Sequence, residues 1–409
     1  MEIGIWESTI TTLSYLATSP PLWPPSVTVD ACLERVRELE PSIHAWVQVA
    51  PQSATSDGPL RAIPFGAKDI IETRGLATEY GSPIYKGRIG ITDAAIVRAL
   101  RSRGAILFGK THTTAFAYRT PPPTRNPHNL AHTPGGSSSG SAAAVSAGMV
   151  PVALGTQTQG SVLRPASYCG VTGFKPSYGM LSTEGVLPVA PTLDTLGLFT
   201  RTPSEMRALW QAIGHPVDDP GDCAIGFVDP LQPVDAVMRT AFDGAVVRLR
   251  DAGVPVRAID LADTLERLAT TNTTVMFYEA ARFHEQRYAE HGERLGEDLA
   301  RLVRDGLRIP LSEYEQAKAH IRHWQTKLAE MFKATPVILV PAATGPAPEG
   351  LGWTGDARMN APWTALGTPA ISIPLPVDGL PLGLQLVADR GQEARVLRAA
   401  ERIHSLWRI

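Results

Sequence analysis

The stretch PGGSSSGSAAAVSAGMVPVALGTQTQGS, residues 134–161, decides the fold class of this chain. Its first half has the composition of a flexible Gly/Ser linker, and most tracts of this kind are loops. Its second half is rich in alanine, which favours helix, and leads directly into the apolar segment MVPVALG, which is typical of a strand. Because a flexible linker would not continue in this way, the pattern predicts an ordered segment.

The sequence around this segment has the rhythm of an α/β sheet. In residues 61–200, short apolar runs such as AIPFGA and AILFG alternate with small-residue and helical segments. Residues 201–335 are helical and charged, with a small strand-helix-strand unit from AIGFV to VPVRAIDL, and the chain then returns to strands with a hairpin predicted at Asp378-Gly379. Since strands come from both ends, we expect one domain, 1–409, made of an N-terminal arm and helices (1–60), a core (61–200), a mainly helical covering region (201–335) and C-terminal core strands with a helix (336–409).

Two features are predicted near the N-terminus. The run PPLWPP, residues 20–25, cannot be helical because proline lacks the amide donor, so we expect an arm there. In residues 29–39, VDACLERVREL, apolar residues recur at helical spacing and predict an amphipathic helix that ends before Pro41.

Composition and charge exclude several classes of function. The 409 residues are 44% apolar, and 38 basic against 40 acidic residues give a net charge of −2, which disfavours nucleic acid or an anionic membrane as a partner. No apolar run is long enough to span a bilayer, and the N-terminus MEIGIWESTITTLSYL carries acids where a signal peptide needs a basic start. The three cysteines are far apart without CxxC spacing, which suits a reducing compartment. We therefore expect a soluble, cytoplasmic protein.

Two motif matches are misleading. Residues 104–111, GAILFGKT, match the phosphate-loop pattern, but the residues between the glycines are all apolar, so a buried strand with a structural Lys110 is the better interpretation. His128 and His132 are four residues apart, but the neighbouring prolines make the helix that would align them as metal ligands improbable. We expect no metal site. Spacing does not exclude a Ser/His/Asp triad, because such triads assemble from residues far apart in sequence, although no GxSxG motif is present.

Three polar residues stand out because small or apolar residues surround them: Lys68, Ser137 and Ser161. A lone lysine after a strand is usually a solvated charge. Buried beside two serines, however, its pKa would fall, and it could act as a general base. One serine could then relay the proton of the other, and backbone amides before Ser161 could form an oxyanion hole.

At these residues the sequence resembles the amidase signature family. The resemblance is collinear and covers residues 59–85, 109–119, 126–161, 164–197 and 354–387. It implies an α/β/α sandwich with a mixed central sheet covered by helices, in which 61–200 is the catalytic core and 201–335 shapes the substrate cleft. It also implies cleavage of a carboxamide without a cofactor through a Ser-Ser-Lys triad. By motif, Lys68 is the base, Ser137 the bridging serine after a cis peptide from Gly136, and Ser161 the acylated nucleophile. The implied oxyanion hole consists of the amides of Thr158, Gln159, Gly160 and Ser161.

Within the family, the TQT element and the GSSSGS variant look most like the small malonamidase-type bacterial amidases. In that type an arginine at the position of Arg164 holds a substrate carboxylate; the alternative is that Arg164 pairs with an internal acid. One departure concerns Gln159, because the family usually has two glycines before the nucleophile. A positive φ at Gln159 would be strained, and its side chain would crowd the acyl pocket. Cys169 is expected to pack in the core.

These features predict a metal-free amidase that acts on a small primary or short-chain amide through an acyl-enzyme on Ser161. One alternative is a glutaminase-type subunit of a tRNA-dependent amidotransferase, which would work with partner chains. Another is a catalytically impaired binding protein of the same fold, whose site Gln159 blocks. The expected ligand is a small-molecule amide, and the oligomeric state, a homodimer included, is left open.

Overall fold

One sheet of 11 strands runs through the residues that the computed structural model describes, which are 23–24, 26–218, 221, 223–229 and 233–407. The N-terminal segment 1–16 lies outside these residues, and so does the predicted arm at 20–25 except for Trp23 and Pro24. The strands are β1 (Trp46–Gln52), β2 (Pro64–Lys68), β3 (Ile106–Thr111), β4 (Val152–Gln157), β5 (Thr172–Lys175), β6 (Thr195–Thr200), β7 (Ile225–Val228), β8 (Val256–Ile259), β9 (Val337–Pro341), β10 (Ala370–Pro374) and β11 (Gly383–Ala388).

The helices of the described residues cover this sheet. They are α1 (Val29–Ile43), α2 (Ala95–Arg101), α3 (Ser139–Ser146), α4 (Leu163–Tyr168), α5 (Pro203–Ala212), α6 (Ala236–Asp251), α7 (Ala262–His291), α8 (Glu297–Leu307), α9 (Leu311–Ala334), α10 (Ala361–Ala365) and α11 (Glu393–Ser405). Among the described residues, no helix combines the length and the apolar composition needed to cross a membrane.

The sheet is mixed, as the family resemblance implies. Its order is β1-β3-β2-β4-β6-β5-β10-β11-β9-β7-β8, so the late strands β9 to β11 lie beside strands of the first half of the chain. Strand β2 is parallel to both β3 and β4, whereas β6 runs antiparallel to β4. All residues of β2, β4 and β6 are buried, which matches their predominantly small and apolar composition. The predicted mixed α/β fold is confirmed.

Several local predictions are also confirmed. The Gly/Ser/Ala tract forms the buried helix α3, and GAILFGKT contains the buried strand β3. Strands β10 and β11 form the predicted antiparallel hairpin, with Gly379 at a φ of 85° in the turn. The strand-helix-strand unit is β7-α6-β8, whose two strands are parallel.

The predicted end of the first helix is wrong. Helix α1 continues past Pro41 to Ile43, and His44 then ends it in the left-handed conformation with its N–H bonded to the carbonyl of Glu40. The carboxylate of Glu40 also accepts hydrogen bonds from the amides of Ala45 and Trp46, both at 2.9 Å. These bonds fasten the last turn, so the single intrahelical bond that Pro41 cannot donate is not enough to end the helix.

The topology brings two strand ends together. Because β2 and β4 are parallel neighbours, their carboxyl ends lie at the same edge of the sheet. Lys68 is the last residue of β2, and the turn 158–161 follows directly after β4. This edge therefore holds Lys68 and Ser161, two of the three residues that the sequence singles out.

Candidate active site

Lys68 is fully buried and bonded to two hydroxyl groups. Its Nζ lies 2.7 Å from Oγ of Ser137 and 2.7 Å from Oγ1 of Thr156. Burial lowers the pKa of Lys68 well below its ordinary value, and the negative charge of Asp194 opposes this shift. A neutral amine held against a serine hydroxyl can accept that hydroxyl's proton.

Ser137 connects Lys68 to the cavity. Its peptide bond with Gly136 is cis, as the family resemblance implies, and Ser137 and Ser161 both line the same cavity. The amide of Ser138 donates to the carbonyl of Ser161 at 3.3 Å, and the amide of Thr114 donates to the carbonyl of Ser137 at 3.2 Å. The first of these bonds joins the two serine segments, and the second fastens the Ser137 segment to Thr114.

The turn before Ser161 leaves its amides available. Within the described part of the chain, the N–H groups of Thr158, Gln159, Gly160 and Ser161 donate to no acceptor. The turn is nevertheless held, because the side-chain oxygen of Gln157 accepts bonds from the amides of Val162 and Leu163 at 2.9 and 3.0 Å. Free amides in a fixed turn are the arrangement that binds an oxyanion.

Gln159 is accommodated without backbone strain. It is absent from the described non-glycine residues with positive φ, so the strain considered from the sequence does not arise. Its Nε2 donates to Oγ1 of Thr273 at 3.1 Å, and its carbonyl accepts from Oγ1 of Thr364 at 2.7 Å. The Gln159 side chain is thus joined to helix α7.

Comparison with known proteins shows the family of this chain. The profile of the Amidase family matches residues 28–397. The chain belongs to the amidase family. It is 33% identical to a glutamyl-tRNA(Gln) amidotransferase subunit from Exiguobacterium sibiricum over 84% of this chain and 83% of that protein. A crystal structure of an amidase superimposes with a TM-score of 0.83 and 28% identity, covering 96% of this chain and 98% of the other. A 6-aminohexanoate cyclic dimer hydrolase has a TM-score of 0.79 and 25% identity, covering 93% and 92%.

Arg164 of this amidase-family chain is buried beside the cis peptide. Its Nη2 donates to the carbonyl of Gly136 at 2.7 Å and to Oγ1 of Thr354 at 3.4 Å, and its Nε is buried without a partner. Burial lowers the pKa of the guanidinium, while Tyr168 and Asp356 act in the opposite direction. Its hydrogen-bonding partners in the described structure are thus a carbonyl and a hydroxyl rather than an internal acid, and Arg164 also lines the cavity.

The cavity has a volume of about 550 Å³, within the range of small-molecule sites. The serines and the turn 158–161 form one wall. A row of residues at helical spacing on helix α7 forms a second wall. Residues 353–358 form a third wall, in which Trp353 is 58% exposed. The α7 row consists of Glu266, Ala269, Thr270, Thr273 and Met276.

Two polar partners of the site are not identified by sequence reasoning. Thr156 lies in the TQT element, whose pattern indicates no role for it, although its hydroxyl binds Lys68. Asp194 lies in the segment PTLDTLG, which carries part of the family resemblance, and it accepts bonds from Oγ1 of Thr158 at 2.5 Å and from the amides of Val189 and Ala190 at 2.8 and 3.0 Å. Burial raises the pKa of Asp194 to about 7, and these hydrogen bonds oppose the shift.

The remaining candidates have structural environments. His128 and His132 lie outside helices, and their ring nitrogens contact the carbonyls of Cys169 and Ala347 at 3.0 and 2.8 Å. Cys169 is fully buried, as expected, with its thiol directed at the carbonyl of Pro134. The described residues contain no cluster of three or more His, Cys, Asp or Glu side chains that could hold a metal ion.

Proposed function

We propose that this chain hydrolyses a small carboxamide through an acyl-enzyme on Ser161, with Ser137 relaying a proton to Lys68. The observation that carries the proposal is the 2.7 Å contact between Lys68 Nζ and Ser137 Oγ, in a buried site whose cavity also contains Ser161. A serine hydroxyl is a weak nucleophile until a neighbouring base takes its proton. Burial supplies such a base by favouring the neutral form of Lys68.

The reaction then proceeds in two stages. Oγ of Ser161 attacks the carbonyl carbon of the amide while its proton passes to Oγ of Ser137, whose own proton passes to Nζ of Lys68. The tetrahedral intermediate collapses as the same path returns a proton to the leaving nitrogen, which departs as ammonia or an amine. Water then attacks the acyl-enzyme, loses a proton along the same path, and releases the carboxylic acid and free Ser161.

The turn 158–161 supplies the electrostatic part of the mechanism. Its four amides have no described acceptor in the protein, so they can donate to the oxygen that becomes negative in the transition state. Loss of one such donor typically costs about 10²- to 10³-fold in kcat. For a substrate with a distal carboxylate, the unpartnered Nε of Arg164 supports binding of that group.

A labelling experiment and a substrate panel test the proposal. A fluorophosphonate probe should modify Ser161, located by peptide mass spectrometry, and Ser161→Ala should abolish the labelling. Amides with and without a distal carboxylate should release ammonia or amine, and Arg164→Met should selectively weaken the carboxylate-bearing ones. Absence of both labelling and amide cleavage in the wild-type protein would refute the hydrolase and favour the impaired binding protein.

A glutaminase-type component of an amidotransferase is the second candidate. The observation that favours it is the 33% identity to the amidotransferase subunit from Exiguobacterium sibiricum. The purified chain would then cleave glutamine weakly by itself and better after co-purification with partner chains. A plain amidase would instead cleave its best amide at the same rate with or without them.

Gln159 is the residue through which we expect this chain to differ in acyl specificity. Gln159→Gly should open the acyl side of the cavity and extend cleavage to bulkier acyl groups, while kcat/KM on small amides is kept or raised. The reason is that the bond from Nε2 of Gln159 to Thr273 holds the side chain against helix α7 at the edge of the cavity, so we expect it to act by occupying space. If the variant and the wild type had equal kcat/KM values for acyl groups from acetamide-sized to aromatic, Gln159 would not determine acyl specificity.

A further inference from the structure

Helix α7 of the covering region contacts the oxyanion turn through two consecutive residues. Nδ2 of Asn272 donates to the carbonyl of Thr158 at 3.2 Å, and Oγ1 of Thr273 accepts from Nε2 of Gln159 at 3.1 Å. Asn272 is fully buried, although it lies on a helix whose composition gives no hint of a role in the site.

The bond to Thr158 bears on an amide of the turn. A peptide unit is planar, so in the trans form its carbonyl and the following N–H point in opposite directions. Among the described residues the one cis bond is Gly136-Ser137, so the Thr158-Gln159 unit is trans. By holding the carbonyl of Thr158, Asn272 therefore fixes the direction of the Gln159 N–H.

The next peptide unit is held in the same way from the other side. Oγ1 of Thr364 on helix α10 donates to the carbonyl of Gln159, which fixes the N–H of Gly160, and Nε2 of Gln157 in turn donates to Oγ1 of Thr364 at 2.9 Å. Side chains outside the turn thus fix the directions of two successive N–H groups, those of Gln159 and Gly160.

Packing alone does not account for Asn272. Its Oδ1 is buried without a partner, so the side chain retains an unmatched polar atom in order to make its bond to Thr158. A buried group in this state destabilises the fold relative to an apolar residue of similar shape. The retained bond is the feature that an apolar residue could not reproduce.

We infer that Asn272 is a positioning residue of the oxyanion hole, acting through the Thr158 carbonyl on the Gln159 amide. The inference rests on the proposed acyl-enzyme chemistry, and it makes the covering region part of the catalytic machinery as well as a wall of the cleft. Because misplacement of a donor weakens the transition state more than the bound substrate, its loss should lower kcat and leave KM nearly unchanged.

Three variants test this role. Asn272→Leu removes the donor and keeps the volume, Asn272→Asp replaces the donor with a group that donates only when protonated, and Thr271→Val is the matched control. Thr271 precedes Asn272 on α7, and among the described residues its hydroxyl bonds only to the carbonyl of Arg267 within that helix. We expect Asn272→Leu to lower kcat about 10- to 100-fold with KM within threefold, and Thr271→Val to stay within twofold of wild type.

The pH dependence separates positioning from packing. In the pH range where Lys68 is neutral in both variants, the ratio of kcat for Asn272→Asp to kcat for Asn272→Leu should rise as pH falls, because the protonated carboxyl regains a donor. A ratio constant with pH, or kcat within twofold of wild type for Asn272→Leu, would overturn the inference. If Asn272→Leu does not fold, Asn272→Asp compared with the wild type over the same pH range gives the same decision.

A crystal structure of Asn272→Leu separates this inference from the proposed function. If the wild-type protein cleaves no amide, the proposed function fails, whereas the positioning role is judged by the turn alone. A rotated Thr158-Gln159 peptide would support the role. A turn superimposable on that of the wild type would refute it.

Discussion

Two buried lysines on neighbouring strands differ in what surrounds them. Lys68 on β2 pairs in register with Thr111 on β3, while Ala67 pairs with Lys110. Because side chains alternate along a strand, Lys68 and Lys110 point to opposite faces of the sheet. Both are fully buried, but of the two only Lys68 contacts Ser137, one of the serines that line the cavity.

The hydrogen-bonding partners of the two lysines differ in kind. Lys68 contacts two hydroxyls, which can donate as well as accept, so the amine keeps its bonds when it is neutral. Lys110 contacts the carbonyl of Ile71, which can only accept, and Oγ1 of Thr78 at 3.2 Å. Burial lowers the pKa of Lys110 to about 8, and the nearby carboxylates of Asp69 and Glu72 oppose the shift.

Burial alone therefore does not make a lysine a general base. A base also needs a partner that can give it a proton and a route from that partner to substrate. In the proposed mechanism Lys68 has both in Ser137, whereas Lys110 connects β3 to the segment after β2 and is expected to serve structure. Removing each lysine should accordingly damage different properties.

The largest effects are expected for variants of the proposed triad, beginning with Lys68→Ala. Loss of the proton acceptor should lower kcat/KM by about 10²- to 10⁴-fold while circular dichroism reports an intact fold. Ser161→Ala should remove nearly all turnover, and Ser137→Ala should retain only a small fraction of the wild-type turnover. Because the three act as a unit, Lys68→Ala/Ser161→Ala should be no worse than Ser161→Ala. Activity of Lys68→Ala within tenfold of wild type would contradict the assignment.

Lys110→Met should show the opposite pattern. It leaves the carbonyl of Ile71 without its donor and removes the cation near Asp69, so the free energy of unfolding should fall by about 1–3 kcal/mol. Urea denaturation measures this loss, and kcat/KM of the folded variant should stay within threefold of wild type. A large fall in kcat of Lys110→Met with unchanged stability would contradict the assignment of Lys110 to structure and of Lys68 alone to catalysis.

The pH profile tests which form of Lys68 is active. If the neutral amine accepts the proton, kcat/KM should be low when Lys68 is protonated and rise with pH through a limb below the ordinary lysine value of about 10.4. Asp194→Asn removes a negative charge that favours protonated Lys68, so the limb should move to lower pH. Lys110 takes no part in the proposed proton transfer. Lys110→Met should therefore leave this limb of the pH profile at the same pH. A limb that moves to higher pH in Asp194→Asn would contradict this electrostatic assignment.

The strands are accessible to sequence reasoning because their apolar runs are local patterns, and β2, β3 and β4 all fall on predicted runs. The end of α1 is not accessible in this way, because it depends on the hydrogen bond between the carboxylate of Glu40 and the amide of Ala45 beyond the helix. Lys68 and Ser137 are 69 residues apart, so their contact is expected from the family resemblance and not from spacing. Asn272 lies 114 residues from Thr158 on a helix of ordinary composition, so its contact depends entirely on tertiary packing.

The smallest effects are expected when the hydroxyl partner of each lysine is removed at constant shape. Thr156→Val leaves Lys68 with Ser137 alone, so the amine is less well held and kcat/KM should fall about threefold to tenfold, in line with a lost buried hydrogen bond of about 1 kcal/mol. Thr78→Val makes the same change beside Lys110, where the carbonyl of Ile71 still accepts, so stability should fall by about 1 kcal/mol and kcat/KM should not change. Parallel measurements of kcat/KM and urea stability on both variants check the pair. If Thr78→Val lowered kcat/KM as much as Thr156→Val did, the hydroxyls would not be what distinguishes the base from the structural lysine.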